Sequence, residues 1–399
     1  MRIRTNIFKE IKEEQLLLIA IIFSPFTQLR YGFIGISELA FILFILKIAF
    51  SRNIKINIKN RSDFLFSKFW LLFFIFSLIG LFYNYIVMKH VSGMLSSMIF
   101  DLFSYVLIFL LCIAMEIYIV NFKEVDIKKL LYRVYLYISI IMLILFGTSR
   151  FTSNLFGYTL LYYHYFSPFA NNIHQVSMVM APLPFLGLKV LIEEKKTVNK
   201  IFHLLLIISN IYIAIETGSL KIAIGFLVGA IFIIYFLMYN RNKHRLEKLL
   251  FILSFSAVLS IVIYYNYEYI AKNIMEFFIS EDSGAGRQIL WEYSFEKIMH
   301  SPIVGYGPGS HALYYWDYND AHSTLITVAL QGGLLALAFY ILLNIKLFIS
   351  LFKEQYLLGA FMSILVYAIG GDVMRRIPIW VYLVLLYYNN VKNKKSQAF

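Results

Sequence analysis

Four cations, two histidines and a run of glycines are the residues of this chain whose types and spacing suit chemistry. The cations are Lys221, Arg287, Arg375 and Arg376. Arginine meets phosphate with paired planar donors, and lysine does so as a point charge. His322 carries an imidazole with an intrinsic pKa close to neutrality, which suits a proton acceptor. Asp320, two residues earlier, is placed to orient that imidazole or to cap the helix that follows. Gly305-Tyr306-Gly307-Pro308-Gly309 is a segment whose glycines permit positive φ and close backbone approach. Such a segment either presents N–H groups to an anion or makes an ordinary tight turn. His174, just after Asn172, opens an apolar run, where hydrogen bonding at a helix start is the plainer account of it.

The elements that must position these residues are membrane helices. Sixty per cent of the 399 residues are hydrophobic, 15% are charged and the mean hydropathy is +0.72. A soluble domain carries about 25% charged residues. Long stretches such as Phe69–Val87, Val134–Thr148 and Ser219–Asn240 are nearly free of charge, and about 20 such residues cross ~30 Å of hydrocarbon as a helix. Alternating short segments, the mark of a β-barrel, are missing. The net charge of +13 sits in short basic loops between spans, so it does not imply nucleic acid. One cysteine, Cys112, allows neither a disulfide framework nor a cysteine metal site.

Hydropathy places twelve spans at roughly 14–29, 32–50, 66–87, 99–120, 131–148, 174–192, 201–217, 219–239, 248–267, 322–351, 356–372 and 376–390. With the N-terminus inside, 27 of the 36 lysines and arginines fall on the cytoplasmic side, which supports both the count and the orientation. The basic N-terminus leads into an apolar run with no small-residue cleavage site, and so reads as an uncleaved first span. The whole chain, 1–399, reads as a single transmembrane domain with both termini cytoplasmic. One external segment stands out: a loop of about 54 residues over 268–321, alongside a smaller tyrosine-rich one over 149–173. Within the large loop, Arg287–His300 has helical spacing of Trp291, Phe295 and Ile298, which fits a helix lying in the interface plane.

The order of Arg287, Trp291, Ser301-Pro302, Gly305-Tyr306-Gly307 and a histidine, His322, opening the next span resembles the O-antigen polymerase and O-antigen ligase family. His322 precedes Gly333 by the spacing of the ligase branch. Asn172-Ile173-His174-Gln175 is similar to an Asn-Pro-Asn/His-Gln element of that family, with Ile173 in place of proline. Thr217-Gly218-Ser219 is similar to its Thr-Gly-Ser-Arg element, but Leu220 replaces the arginine and Lys221 follows. The resemblance covers roughly residues 168–345. It implies a bacterial cytoplasmic-membrane glycosyltransferase with a C-type glycosyltransferase-like fold, acting on the external face without cofactor or metal. Its donor would be a polyprenyl-diphosphate-linked glycan and its acceptor a glycan or lipid-linked glycan. Membrane lipids, a flippase and chain-length regulator proteins would be its partners.

On that reading Arg287, Lys221, Arg375 and Arg376 hold the diphosphate, and His322 takes the acceptor proton. Blander accounts stand beside it. Lys221 can snorkel to the interface. Arg375 and Arg376 follow Asp372 at a turn, where an ion pair serves as well as ligand binding. Glu38, Asp101 and Glu116 lie in or near spans and count as functional by default; only the first two fall on the external half. Tyr158, Tyr162, Tyr163 and Tyr165 are candidates for glycan contact. A polymerase of repeat units into O-antigen, capsular polysaccharide or exopolysaccharide, a ligase onto lipid A-core, and a transporter or flippase all remain open. The last would call for internal repeats or broken helices at the midplane, and none is evident.

Overall fold

The computed structural model describes residues 12–32, 34–51, 64–87, 95–122, 125–239, 286–310 and 321–397, without the side chains of 87, 95–96, 238–239, 286–289 and 392–397. The expected span at 248–267 and residue Asp320 lie outside these. The helices are α1 (Glu13–Phe23), α2 (Ile36–Ala49), α3 (Leu65–Phe82), α4 (Leu95–Asn121), α5 (Ile127–Ser149), α6 (Ile173–Met180), α7 (Leu183–Glu193) and α8 (Thr197–Glu216). They continue as α9 (Leu220–Tyr239), α10 (Gly286–His300), α11 (Thr324–Leu351), α12 (Gln355–Ile369) and α13 (Ile377–Gln397). Three two-stranded hairpins, around residues 30–35, 154–159 and 161–166, sit between α1 and α2 and between α5 and α6. The protein is an all-α polytopic membrane protein. Among the described residues, seven segments are long and apolar enough to cross a membrane, and α12 and α13 contain shorter apolar stretches.

Helix ends follow local chemistry. The first span stops at Phe23 rather than near residue 29, because Ser24-Pro25 cannot continue it. The sixth span is two helices, α6 and α7, meeting at Ala181-Pro182. α12 ends at Ile369, short of the expected 372, where Gly370-Gly371 begins a turn.

Between apolar helices in lipid, close packing rather than water exclusion drives association. Gly225 and Gly229 of α9 show this. They are four apart on one face, and a Cβ added to them would meet the backbone oxygens of Ser363 and Gly359 on α12 at 3.0 and 2.8 Å. The centre of the bundle is aromatic: Phe69, Trp70 and Phe73 of α3 meet Tyr105 of α4, Tyr340 of α11 and Trp380 of α13. Trp70 and Trp380 lie edge to face at 4.7 Å. Lipid-facing positions such as Ile79, Ile144 and Ile231 stay exposed.

Glu116, a buried carboxylate on α4, has a structural account. Its Oε1 accepts from the Phe66 N–H at 2.9 Å and the Tyr388 hydroxyl at 3.1 Å, while Oε2 accepts from the Ser67 N–H and hydroxyl. It thus caps the N-terminus of α3 from a neighbouring helix, where a negative charge suits the helix dipole.

α11 is kinked at Gly333, whose φ of 73° breaks the helical run. The kink leaves the carbonyls of Leu330 and Gln331 to accept from the N–H groups of Tyr306 and Gly307, at 2.7 and 3.0 Å. Leu334 in turn donates to the Pro302 carbonyl. A Cβ at Gly333 would overlap the Ile303 carbonyl, so this docking requires glycine there.

Candidate functional site

At one end of the bundle the segment after α10, the start of α11, the turn between α12 and α13, and the N-terminal part of α4 come together. Asp101 of α4 is their common point. Its fully buried carboxylate accepts from the Gly309 N–H and the Gln331 side-chain amide, both at 2.9 Å, through Oδ2. Through Oδ1 it pairs with Arg375 Nη1 at 3.1 Å. Arg375 also approaches Asp372, with Nε 3.6 Å from Oδ2, and its guanidinium lies over the Phe100 ring. Tyr105 closes the set by donating to the Gln331 side-chain oxygen at 2.5 Å. A buried carboxylate is tolerable only with such partners.

The N–H groups of the glycine segment are spent within the protein. Those of Gly305, Tyr306, Gly307 and Gly309 go to Ser301, Leu330, Gln331 and Asp101 respectively. The glycine spacing is accounted for by close approach: a Cβ on Gly307 would overlap Leu81 of α3, and one on Gly309 would overlap Met98 of α4. Presenting these N–H groups to a ligand would require the bonds to open.

His322 sits on a stapled turn. Trp291 of α10 donates its indole N–H to the Ala321 carbonyl at 2.9 Å. Thr324 Oγ1 donates to the Gly371 carbonyl at 2.8 Å and accepts from the Val373 N–H at 3.0 Å, tying the start of α11 to the turn before α13. Between these anchors His322 is exposed and has a φ of 51°. A left-handed backbone costs a residue with a Cβ about 1 kcal/mol or more, and histidine tolerates it better than most. Such strain persists where surroundings over-determine it, and it gathers at functional sites.

Tyr367 of α12 gathers a second group. Its hydroxyl lies 3.2 Å from Ser177 Oγ and donates to the His174 carbonyl at 3.3 Å; the His174 ring stands edge-on, 6.3 Å away. The Lys221 ammonium lies 5.7 Å from the Tyr367 ring centre, beside Gly370-Gly371. Asn172 caps α6, its Oδ1 accepting from the His174 N–H at 2.8 Å. Tyr165 covers the Thr217-Gly218-Ser219 turn, its ring against Gly218. The other tyrosines of that loop face outward, Tyr163 most of all.

Between these groups and α2 lies a cavity of about 840 Å³. Arg375 and Arg376 line it together with Arg30, Glu38 and Gln175. Its apolar wall is made by Ile99, Phe100, Phe103 and Leu107 of α4, and the Arg375 guanidinium lies over Phe100 in that wall. Glu38 also caps α2 by accepting from the Gly35 N–H at 3.0 Å. A cavity lined by both guanidinium groups and aliphatic and aromatic side chains suits a ligand that is itself anionic at one end and greasy at the other.

The structure therefore brings Arg375, Arg376, Gly305, Gly307, His322, Lys221, Asn172 and His174 to one end of the bundle. Arg287 is the second residue of α10 at that end, known by its backbone alone. Sequence reasoning did not single out Gln331, Thr324, Tyr367 or Arg30, and it named Gln175 only as part of the Asn172–Gln175 element. Gln331 carried a usable signal as an amide inside an apolar helix. Tyr367, one of 30 tyrosines, carried none.

On α10, Lys297 is largely buried with its ammonium 5.1 Å from the Tyr306 ring centre, and burial pushes its pKa down to about 8. Leu290 and Ile298 of the same helix pack on Ala321, Ile326 and Leu330, which holds α10 against the first half of α11.

Residues 204–341 match the family model described as O-Antigen ligase. The match runs from α8 into α11 and takes in Lys221, Arg287, the glycine segment and His322. Over those residues the chain is similar to the O-antigen ligase and polymerase family. No curated protein matches the chain.

Proposed function

We propose that this protein is a polysaccharide polymerase of the bacterial cytoplasmic membrane, joining polyprenyl-diphosphate-linked repeat units on the external face. The observation that carries this reading is the cavity that Arg375, Arg376 and Arg30 line together with the apolar wall of Phe100, Phe103 and Leu107. The diphosphate lies against the arginines and the first isoprene units against the wall. The acceptor hydroxyl oxygen attacks the anomeric carbon, the bond from that carbon to the diphosphate oxygen breaks, and the polyprenyl diphosphate leaves with the electron pair. Cations matter most at that moment, because charge develops on the departing oxygen. Arg287, Arg376 and Lys221 supply them, and His322 accepts the hydroxyl proton. Asp101 is a positioning residue: it holds Arg375, Gln331 and the Gly309 segment in one arrangement. Neither a metal nor a cofactor has a part in this scheme.

A ligase reading is favoured by the description of the matched family, O-Antigen ligase. Both readings use the same donor and the same face, and differ in the acceptor. Purified protein in vesicles, given lipid-linked repeat units alone, produces a ladder of longer lipid-linked chains if it is a polymerase. If product forms only after lipid A-core is added, the polymerase reading falls and the ligase stands. If neither acceptor yields product, the enzyme reading gives way to transport.

A further inference from the structure

The far end of the bundle carries a second cavity that the glycan-transfer reading does not use. α13 links the two: Pro378 lines the first and Asn389 the second, eleven residues and about 17 Å further along the helix. The second cavity has a volume of about 670 Å³ and lies among the ends of α5, α7, α12 and α13.

Its lining is basic over an apolar floor. Five lysines and three carboxylates surround it, with Leu131, Leu186, Val190 and Leu357 beneath. Some of those charges already balance one another. Lys128 pairs with Glu193 at 3.0 Å, and Lys189 with Glu354 at 2.5 Å. Glu194 accepts from the N–H groups of Lys195 and Lys196 and from the Asn199 amide. Asp126 caps α5 by accepting from the Lys129 N–H at 2.9 Å. Among the described residues, the ammonium groups of Lys129, Lys195 and Lys196 are in no ion pair.

Asn389 supplies the independent observation. It is 2% exposed and lines the cavity, and its Nδ2 finds no acceptor. A buried donor without a partner costs about 1–3 kcal/mol. A ligand oxygen entering from the cavity would relieve that cost.

We infer that this cavity binds the phosphodiester of an anionic phospholipid, with Lys129, Lys195 and Lys196 around the phosphate, Asn389 donating to a phosphate or glycerol oxygen, and the acyl chains on Leu131, Leu186 and Val190. A lipid fits better than a free anion because the floor is aliphatic and the cavity lies between helix ends, at headgroup depth. The inference does not depend on the transfer reaction.

The test is native mass spectrometry of the full chain released from vesicles of equal phosphatidylcholine and phosphatidylglycerol. One phosphatidylglycerol per chain is retained in about tenfold preference over phosphatidylcholine. The variant K129Q/K195Q/K196Q loses that preference, and N389L loses retained lipid with no change in fold by circular dichroism. The single substitution Lys195→Gln, in the exposed turn between α7 and α8, weakens retention measurably even if the others fail to fold. Equal retention of the two lipids, or an unchanged preference in Lys195→Gln and the triple variant, overturns the inference. Displacement of the lipid by millimolar inorganic phosphate also overturns it, since the site would then be one for free anions.

Discussion

Asp101 and Arg375, 274 residues apart in sequence, form a 3.1 Å ion pair in which the carboxylate is wholly buried. The pair divides the labour of two adjacent arginines. Arg375 is held between Asp101 and Asp372, so much of its charge is balanced within the protein. Arg376, its neighbour, lines the same cavity.

Substitutions at the two arginines should therefore differ in kind. Breaking a buried pair by removing one partner costs about 3–5 kcal/mol, so Asp101→Ala and Arg375→Ala lower the midpoint of thermal unfolding. Arg376→Ala raises KM for the lipid-linked donor. An unchanged midpoint in Arg375→Ala, or an unchanged KM in Arg376→Ala, would contradict the division.

His322 is tested best by two substitutions that separate backbone from imidazole. His322→Asn keeps the tolerance for positive φ and removes the base, whereas His322→Ala removes both. A proton acceptor contributes about 10²–10⁴-fold. Both variants should lose product by that order while still binding donor lipid. Near-normal product from His322→Asn would reduce the residue to a turn former.

For Arg287, alanine should abolish product while lipid-linked substrate accumulates and the protein still inserts. Arg287→Lys should restore only part of the activity, because one ammonium cannot reproduce a two-pronged contact. Full activity in Arg287→Ala would end its assignment.

Lys221 stands beside Gly370-Gly371 and the Tyr367 ring, one position after Leu220, which replaces the arginine of the Thr-Gly-Ser-Arg element that Thr217-Gly218-Ser219 resembles. Lys221→Arg should keep much of the activity, and Lys221→Ala should lose most of it. Normal glycan assembly by Lys221→Ala would leave snorkelling as its account.

The pH response of α10 follows from Lys297, whose pKa lies near 8, below the usual lysine value, because of burial. Below pH 8 the ammonium is charged in both states, and the folded state bears the cost of burying it. Between pH 8 and about 10.5 the folded protein releases the proton while the unfolded chain keeps it, so stability rises with pH. Trypsin cleavage in this helix should slow over that window, and Lys297→Met should remove the dependence. A protection that falls with rising pH would refute the sign.

Much of this protein is legible without a structure because membrane spans are local objects. An apolar run of about 20 residues must close its own backbone hydrogen bonds, so hydropathy and proline positions locate helices within a few residues. α3, α8 and α9 fall close to where composition puts them. The motif order from Arg287 to His322 was likewise readable, since it runs along one stretch of chain. What only the tertiary structure decided are relations between distant residues whose partners are set by packing. Asp101 could be suspected as an intramembrane carboxylate, but its attachment to Arg375, Gln331 and Gly309 depends on how α4, α11 and the turn before α13 meet. The glycine segment read equally well as an anion cradle or a turn; its N–H groups are committed because the kink at Gly333 leaves two carbonyls open to it. Tyr367 and Asn389 gain their significance wholly from their surroundings, one among cations and the other with a donor facing a cavity. Periodicity records which face of a helix is apolar, and it carries no information about which neighbour that face will meet.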